Sequence, residues 1–229
     1  MRRVLIGTPS YNWQVDVRYT HALTQTVRMG LQRAIDVREM FPVGKLVEDA
    51  RNELIQLAVE YDFDDLVFID ADQDWQAEDF FRLLAHPVDV VGVPVRKKTE
   101  VDEAYNVRAP GGPESLLHDP STGLWTSPDM SVGTGMLRLS RIAIAALWNS
   151  GEEYVIRGNP TRYRWIFEVK PHNGELVSED IRVAWRLRSL GFETWIDPTI
   201  KVSHFGLKAY TGDFLEWLGK FFQDEKMRA

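Results

Sequence analysis

The run Leu66-Val67-Phe68-Ile69-Asp70-Ala71-Asp72-Gln73-Asp74-Trp75 joins four apolar residues to three carboxylates at alternate positions. A continuous apolar run of this length reads as a strand covered on both sheet faces. In open α/β sheets, ligands bind beyond the carboxyl ends of the strands. Three acidic groups this close repel one another, so full ionisation needs a cation or hydrogen-bond donors nearby. Mg2+ and Mn2+ take oxygen ligands and share their coordination with substrate phosphates, so a metal–diphosphate site accounts for the cluster. An acidic turn that caps the following helix accounts for it equally well.

The sequence on either side sets the fold class. Val4 to Gly7 reads as a buried first strand that ends in the turn-rich Thr8-Pro9-Ser10-Tyr11-Asn12. Leu23, Val27 and Leu31 have helical spacing and predict a helix from about His21 to Gln32. A second helix is expected from about Leu46 to Tyr61, with Leu46, Ala50, Leu54, Leu57 and Ala58 on one face. A third should cover Glu78 to Ala85, before a buried strand Asp89–Val93. Strands alternating with helices in this way predict an α/β domain with a mainly parallel sheet. Further on, Met136–Leu139 reads as a strand, Arg141–Trp148 as a helix and Glu179–Leu190 as another helix. Glu193–Ile196 reads as a strand, and Thr199–Ser203 as one more. Lys98–Pro128 and Gly151–Gly174 lack periodicity, and loops of such length are usually functional or mobile.

Composition narrows the function classes. At 229 residues, 44% hydrophobic and 27% charged, the chain suits one globular domain with a sizeable core. A net charge of -7 argues against a protein that binds nucleic acid over its whole surface. With no cysteine, a disulfide framework, a thiolate zinc site and a cysteine nucleophile are excluded, in keeping with a reducing cytosol. Met1-Arg2-Arg3-Val4-Leu5-Ile6-Gly7 is too short for a signal sequence, and no apolar stretch approaches a membrane span. The expected location is the cytoplasm. Motifs for dinucleotide, phosphate-loop, serine hydrolase and zinc protease chemistry do not occur.

Two later segments bear on the acidic strand end. Ser178-Glu179-Asp180 opens a helix, where acidic residues cap the free amides and suit the helix dipole. Beyond it come Gly191-Phe192-Glu193-Thr194-Trp195-Ile196-Asp197-Pro198 and Val202-Ser203-His204-Phe205-Gly206. A lone histidine such as His204 is more often structural than a ligand. Gly133-Thr134-Gly135 permits either close approach of a ligand to the backbone or a tight start to a strand.

The order of these features resembles the GT-A glycosyltransferases, closest to the family-2-like group that includes small proteins of bacterial and phage genomes. An apolar strand closes in Asp-x-Asp, a Gly-rich strand follows, then Glu-Asp opens a helix, then Asp-Pro and a late His. The resemblance runs from about Val4 to Gly206 and includes Ala50-Arg51-Asn52-Glu53-Leu54. It implies one GT-A domain over residues 1–229, with a nucleotide-binding half to about residue 97. An acceptor half over about 98–206 and an amphipathic C-terminal helix over 207–229 would complete it. By the same resemblance Thr8, Pro9, Ser10, Tyr11 and Asn12 hold the base and ribose of a UDP- or GDP-sugar. Asp72 and His204 are implied metal ligands, with Asp70 on the ribose or in the metal shell. Arg51, Ala71 and Gly135 are implied donor contacts, and Asp180, with Glu179 beside it, the base. A short chain without an added acceptor domain or anchor says little about the acceptor.

The implied chemistry is coherent. A divalent ion stabilises the charge of a departing diphosphate, and a carboxylate activates the acceptor hydroxyl. In-line displacement from the opposite face gives inversion. Mixed carboxylate and imidazole ligands tilt the choice of Mn2+ or Mg2+ toward Mn2+. On the acceptor side, Arg157, Arg162, Tyr163, Arg164 and Trp165 interleave cations with aromatics, and Arg96-Lys97-Lys98 follows a strand end. Such a surface stacks on sugars or bases and binds phosphates, or is a solvated basic loop. It suggests an anionic glycan, a lipid carrier or a modified nucleic-acid base as acceptor. Phe214, Trp217, Leu218, Phe221 and Phe222 form an apolar helical face suited to packing on the sheet, ahead of an oligomer or membrane contact. A sugar nucleotidyltransferase and an inert nucleotide-sugar-binding module are the competing readings. The first lacks its Gly-rich basic loop here, and the second has no use for a base.

Overall fold

The computed structural model describes residues 1–100, 102–155, 157–158, 160–206 and 208–220. Its first half runs β1 (Arg2–Gly7), α1 (Val17–Gln32), β2 (Ile35–Met40), α2 (Val47–Glu60) and β3 (Asp65–Ile69). Then come β4 (Gln73–Asp74), α3 (Ala77–Ala85) and β5 (Val90–Gly92). The next stretch holds the short strands β6 (Val107–Arg108), β7 (Leu117–His118), β8 (Trp125–Thr126) and β9 (Ser131–Val132). After β10 (Met136–Ser140) and α4 (Arg141–Ser150) come two hairpins, β11 (Glu152–Val155) with β12 (Arg162–Trp165), and β13 (Lys170–His172) with β14 (Glu175–Val177). The chain continues through α5 (Glu179–Ser189), β15 (Trp195–Ile196), β16 (Ser203–Phe205) and β17 (Ala209–Tyr210), then helical residues 214–220.

The central sheet has eight strands in the order β2-β1-β3-β10-β5-β15-β8-β7. Strands β1, β2, β3, β5, β7 and β15 run one way, and β8 and β10 the other. The sheet is mostly parallel, as the alternation of elements requires. Every residue of β3 is buried, because alternate side chains enter different layers. Leu66 and Phe68 pack with Leu54 and Ile55 of α2, Ala143 and Leu147 of α4, and Val183 and Leu187 of α5. Val67 and Ile69 pack with Tyr19 of α1 and with Phe80, Leu83 and Leu84 of α3.

Some expectations need correction. Helix α1 starts earlier than His21, because Asp16 caps it by accepting the Arg18 amide at 2.8 Å. Its buried face is Tyr19, Ala22, Thr26 and Gly30, while the expected Leu31 is exposed. Small residues let the helix lie close to the sheet: a Cβ on Gly30 would stand 2.8 Å from Cγ2 of Val37. Strand β2, Ile-Asp-Val-Arg-Glu-Met, carries too many charges to read as buried, and it lies at a sheet edge. The expected strand at Thr199–Ser203 lies instead at Ser203–Phe205, antiparallel to β4. Lys98–Pro128 contributes β7 and β8, which extend the sheet, and Gly151–Gly174 holds the β11–β12 hairpin. Phe214 and Leu218 join the core, and Tyr105 meets the rings of Phe214 at 5.1 Å and Trp217 at 5.4 Å. Phe221 and Phe222 lie outside the described residues.

At its start β3 carries a buried carboxylate. Asp65 takes Arg2 through both side-chain oxygens, at 2.6 and 2.9 Å, and Arg138 of β10 at 2.7 Å. The Asp65 and Arg138 side chains are only 1% and 7% exposed. Removing one partner of such a pair strands the other charge, which costs about 3–5 kcal/mol. Asp65→Ala should therefore lower the urea midpoint by that equivalent, whereas Asp65→Leu with Arg138→Met should recover most of it. Equal loss in the single and double variants would show that the pair contributes through packing alone.

Candidate functional site

Strand β3 ends at the C-terminal edge of the sheet, and the next residues place Asp70, Ala71 and Asp72 there. The first loop is stitched to them, since the Asp16 amide donates to the Ala71 carbonyl at 2.9 Å. On the other side the Phe205 amide donates to the Asp72 carbonyl at 2.8 Å, and His204 pairs with Gln73 in register. Asp72 and His204, far apart in sequence, thus become neighbours.

His204 is held at both nitrogens. Nδ1 lies 3.0 Å from the Arg96 carbonyl, which can only accept, so Nδ1 carries a proton. Nε2 lies 3.3 Å from Oδ1 of Asp72. Lys98 reaches Oδ2 of the same carboxylate. Burial pushes the Asp72 carboxyl up, but hydrogen bonds and charge from His204 and Lys98 outweigh it and hold the pKa below its ordinary value.

Arg51 of α2 lies across from this group with its side chain 6% exposed. It donates through Nη1 to Glu179 at the start of α5 and through Nη2 to Asp70 at 3.3 Å. Its Nε is buried without a partner among the described residues. Resemblance assigned Arg51 to the nucleotide; here its fork is engaged by two carboxylates. Glu179 is correspondingly committed to Arg51. Asp180 accepts from Ser178 and from the Ile181 amide, both at Oδ1. Next to Arg51, Asn52 is buried and latches a distant segment. Its Oδ1 accepts the Ile166 and Phe167 amides at 3.1 and 2.7 Å, and its Nδ2 donates to the Phe167 carbonyl at 3.1 Å.

Two adjoining hollows lie over these groups. The larger, about 670 Å3, is bounded by Pro9, Tyr11 and Asn12 on one side and by Arg51, Asp70, Ala71, Asp72 and His204 on the other. The smaller, about 130 Å3, shares Arg51, Asp70 and His204 with it and runs on to Gly135, Gln73, Glu179 and Asp180. Thr8 and Ser10 line neither. Thr8 is fully buried with its hydroxyl 2.5 Å from that of Tyr19, and Ser10 donates to the Gln14 carbonyl. They shape the loop from behind.

Solved structures place this architecture among known proteins. A197 from STIV aligns over 90% of this chain and 86% of that chain, with a TM-score of 0.52 and 15% identity. The two share a fold. A glycosyltransferase involved in the glycosylation of the major capsid of PBCV-1 aligns over 63% of this chain and 62% of that one. Its TM-score of 0.35 and 9% identity are too slight to carry weight. No family model matches the sequence, and no curated protein matches it.

The expected acceptor residues sit apart from both hollows. Arg162 and Arg164 of β12 both pair with Glu153 of β11, the latter at 3.2 Å, so one of their two charges is offset within the hairpin. Arg164 also lies over Trp148, and Tyr163 stacks on Tyr154 at 5.6 Å. Trp165 is half exposed. Strand β12 leads directly into the Ile166–Phe167 segment that Asn52 holds. Asp197, part of the expected Asp-Pro signal, is structural: it accepts from Thr199 and lies 2.8 Å from His86. No cluster of three or more potential metal-binding side chains occurs among the described residues. No described helix is long and apolar enough to cross a membrane.

Sequence reading marked Lys98 as part of a basic stretch and Asn52 as part of the Ala50–Leu54 resemblance but assigned neither its partner here, and it passed over Gln73. Asn52 and Arg51 stand out as adjacent polar residues within an otherwise apolar helix face. The pairing of Lys98 with Asp72 depends on the fold. If Arg51 joins α5 to β3 as described, a double-mutant cycle with Arg51→Met and Glu179→Gln should return a coupling of about 1–3 kcal/mol. Thermal or urea unfolding supplies the measurement, and additive effects would mean the two side chains do not pair.

Proposed function

We propose that the protein is a glycosyltransferase that uses a nucleoside-diphosphate sugar and Mn2+ or Mg2+. The observation that carries this reading is the meeting of Asp72 with His204 Nε2 where the large cleft joins the recess that Asp180 lines. One carboxylate and an imidazole that bonds a backbone carbonyl through Nδ1 suit a divalent ion, which would take the place of the contact between Nε2 and Asp72. Asp72 and His204 would hold that ion, with Asp70 beside them. When bound, it offsets the charge that grows on the departing diphosphate.

The chain's own residues supply the rest. Pro9, Tyr11 and Asn12 border the nucleotide, and Tyr11, largely exposed at the rim, presents a ring for the base. Lys98 exchanges its contact with Asp72 for one with the phosphates. Arg51 holds Glu179 and so fixes the first turn of α5, leaving Asp180 as the carboxylate that takes the acceptor proton. The acceptor oxygen forms a bond to the anomeric carbon, the bond from that carbon to the diphosphate breaks, and inversion results. The acceptor hydroxyl enters beside Asp180, and a large acceptor extends from there to the β11–β12 hairpin outside the hollows, where Trp165 is half exposed and Arg162 and Arg164 keep a residual positive charge. This suits an anionic glycan, a lipid carrier or a modified nucleic-acid base.

Titration calorimetry with UDP and GDP should show tighter binding in Mn2+ than in chelator, with the enhancement lost in Asp72→Ala. Binding indifferent to metal removes the metal from the scheme. Slow hydrolysis of the preferred nucleotide sugar, water standing in for the acceptor, should fall roughly 10²–10⁴-fold in Asp180→Asn with donor affinity nearly unchanged. An active Asp180→Asn beside an inactive Glu179→Gln would exchange the two roles.

A further inference from the structure

Gln73 has no solvent exposure, yet neither Oε1 nor Nε2 has a hydrogen-bond partner among the described residues. It is the one described side chain with both polar ends of an amide in that state. Native structures rarely leave such a group idle, and each exception calls for a reason. Here the reason is its position. Gln73 lines the small recess with Asp70, Gly135 and Asp180, and a Cβ on Gly135 would stand 2.5 Å from its Nε2. The amide thus packs against the bare backbone of residue 135, in the wall of the recess. Backbone pairing with His204 fixes the main chain of Gln73 beside the recess.

We infer that Gln73 is a specificity-determining residue that reads the transferred group, because its buried, unpaired amide belongs to the wall of the recess next to the acidic start of α5. This rests on the donor reading proposed above and adds the chemistry selected. An amide with an idle acceptor and idle donors is satisfied by a group that both donates and accepts. Sugar hydroxyls do this, as does an acylamino substituent. A deoxygenated or apolar group would leave the amide buried and unpaired, which is how a polar site rejects the wrong substrate.

The experiment compares wild-type protein with Gln73→Met, a substitution of similar size that removes the amide. Calorimetry in Mn2+ measures UDP-glucose, UDP-galactose, UDP-N-acetylglucosamine and GDP-mannose against UDP and GDP alone. For the preferred sugar nucleotide, wild type should bind more tightly than the bare diphosphate, and Gln73→Met should erase on the order of tenfold of that gain. Affinity for UDP or GDP should stay unchanged. The unliganded variant should be as heat-stable as wild type or more so, because nothing in the protein loses a bond. A gain that survives in Gln73→Met overturns the inference and leaves the donor reading intact, as does a wild type that gains nothing from the sugar. Lowered stability of the free variant would make the amide a structural group satisfied by water, which also overturns it. Should Gln73→Met fold poorly, Gln73→Leu applies the same test with the amide likewise removed. Wild type that binds neither bare diphosphates nor sugar nucleotides removes the donor reading and this inference together.

Discussion

Burying Arg51 obliges the chain to bring carboxylates to it, because an unpaired guanidinium in that position would be strongly unfavourable. Those carboxylates come from Asp70, 19 residues away, and Glu179, 128 residues away. The requirement therefore ties the end of β3 to the first turn of α5 and fixes the distance between the two acidic segments of the cleft. Asn52, on the next position of the same helix, performs the companion task with backbone groups rather than charge. It holds Ile166 and Phe167, and Phe167 in turn meets Phe68 of β3 edge-on at 5.4 Å. Two successive polar residues of α2 thus position two segments that are remote in sequence.

Strand β3 uses its charges differently at its two ends. Asp65 at the start is sealed from water by Arg2 and Arg138, which link β1, β3 and β10. Asp70 and Asp72 at the other end keep about a third or more of their side chains exposed, and their partners are cations that a ligand can displace or supplement. The four apolar residues between are buried on both faces, so it is the paired charges at the two ends that hold the strand in register. Lys98 and His204 then determine what the open end can do. They keep Asp72 ionised on a protein whose net charge is -7, where an unassisted cluster of acids would favour protonation.

Much of this was legible in the sequence for a physical reason. Buried strands and long amphipathic helices must advertise their periodicity, and β3, α2, α3 and α5 did so. Acidic residues at the end of an apolar strand also read directly, as did the glycines before β10. Features decided by partners remote in sequence did not. On α1 the expected Leu23 and Val27 do pack against the core, but Leu31 does not, and small residues rather than large apolar ones make the closest approach to the sheet. Two-residue strands such as β7 and β8 are too short for any periodic signal. Thr8 and Ser10 have the chemistry of nucleotide contacts but are consumed by Tyr19 and Gln14, which composition alone does not reveal. Arg162 and Arg164 read as a cationic patch because Glu153 lies on the facing strand, and strand pairing is not visible along the chain.

The antiparallel β10 explains how the recess arises at all. A parallel strand between β3 and β5 would bring its C-terminal end to the ligand edge of the sheet. Running the other way, β10 brings its beginning there, so the glycines that precede it are delivered beside Asp70. The register pairs Met136 with Ile69, and the Asp70 amide donates to the Gly135 carbonyl at 3.1 Å. Asp70 is thereby anchored by its backbone to one neighbour and by its side chain to Arg51. At that point any side chain on residue 135 would meet Gln73 and approach Asp70. The same glycine that lets the strand begin therefore lets the Gln73 amide lie against the backbone in the wall of the recess. Sheet topology, the absence of one Cβ and an unsatisfied amide are three consequences of a single placement.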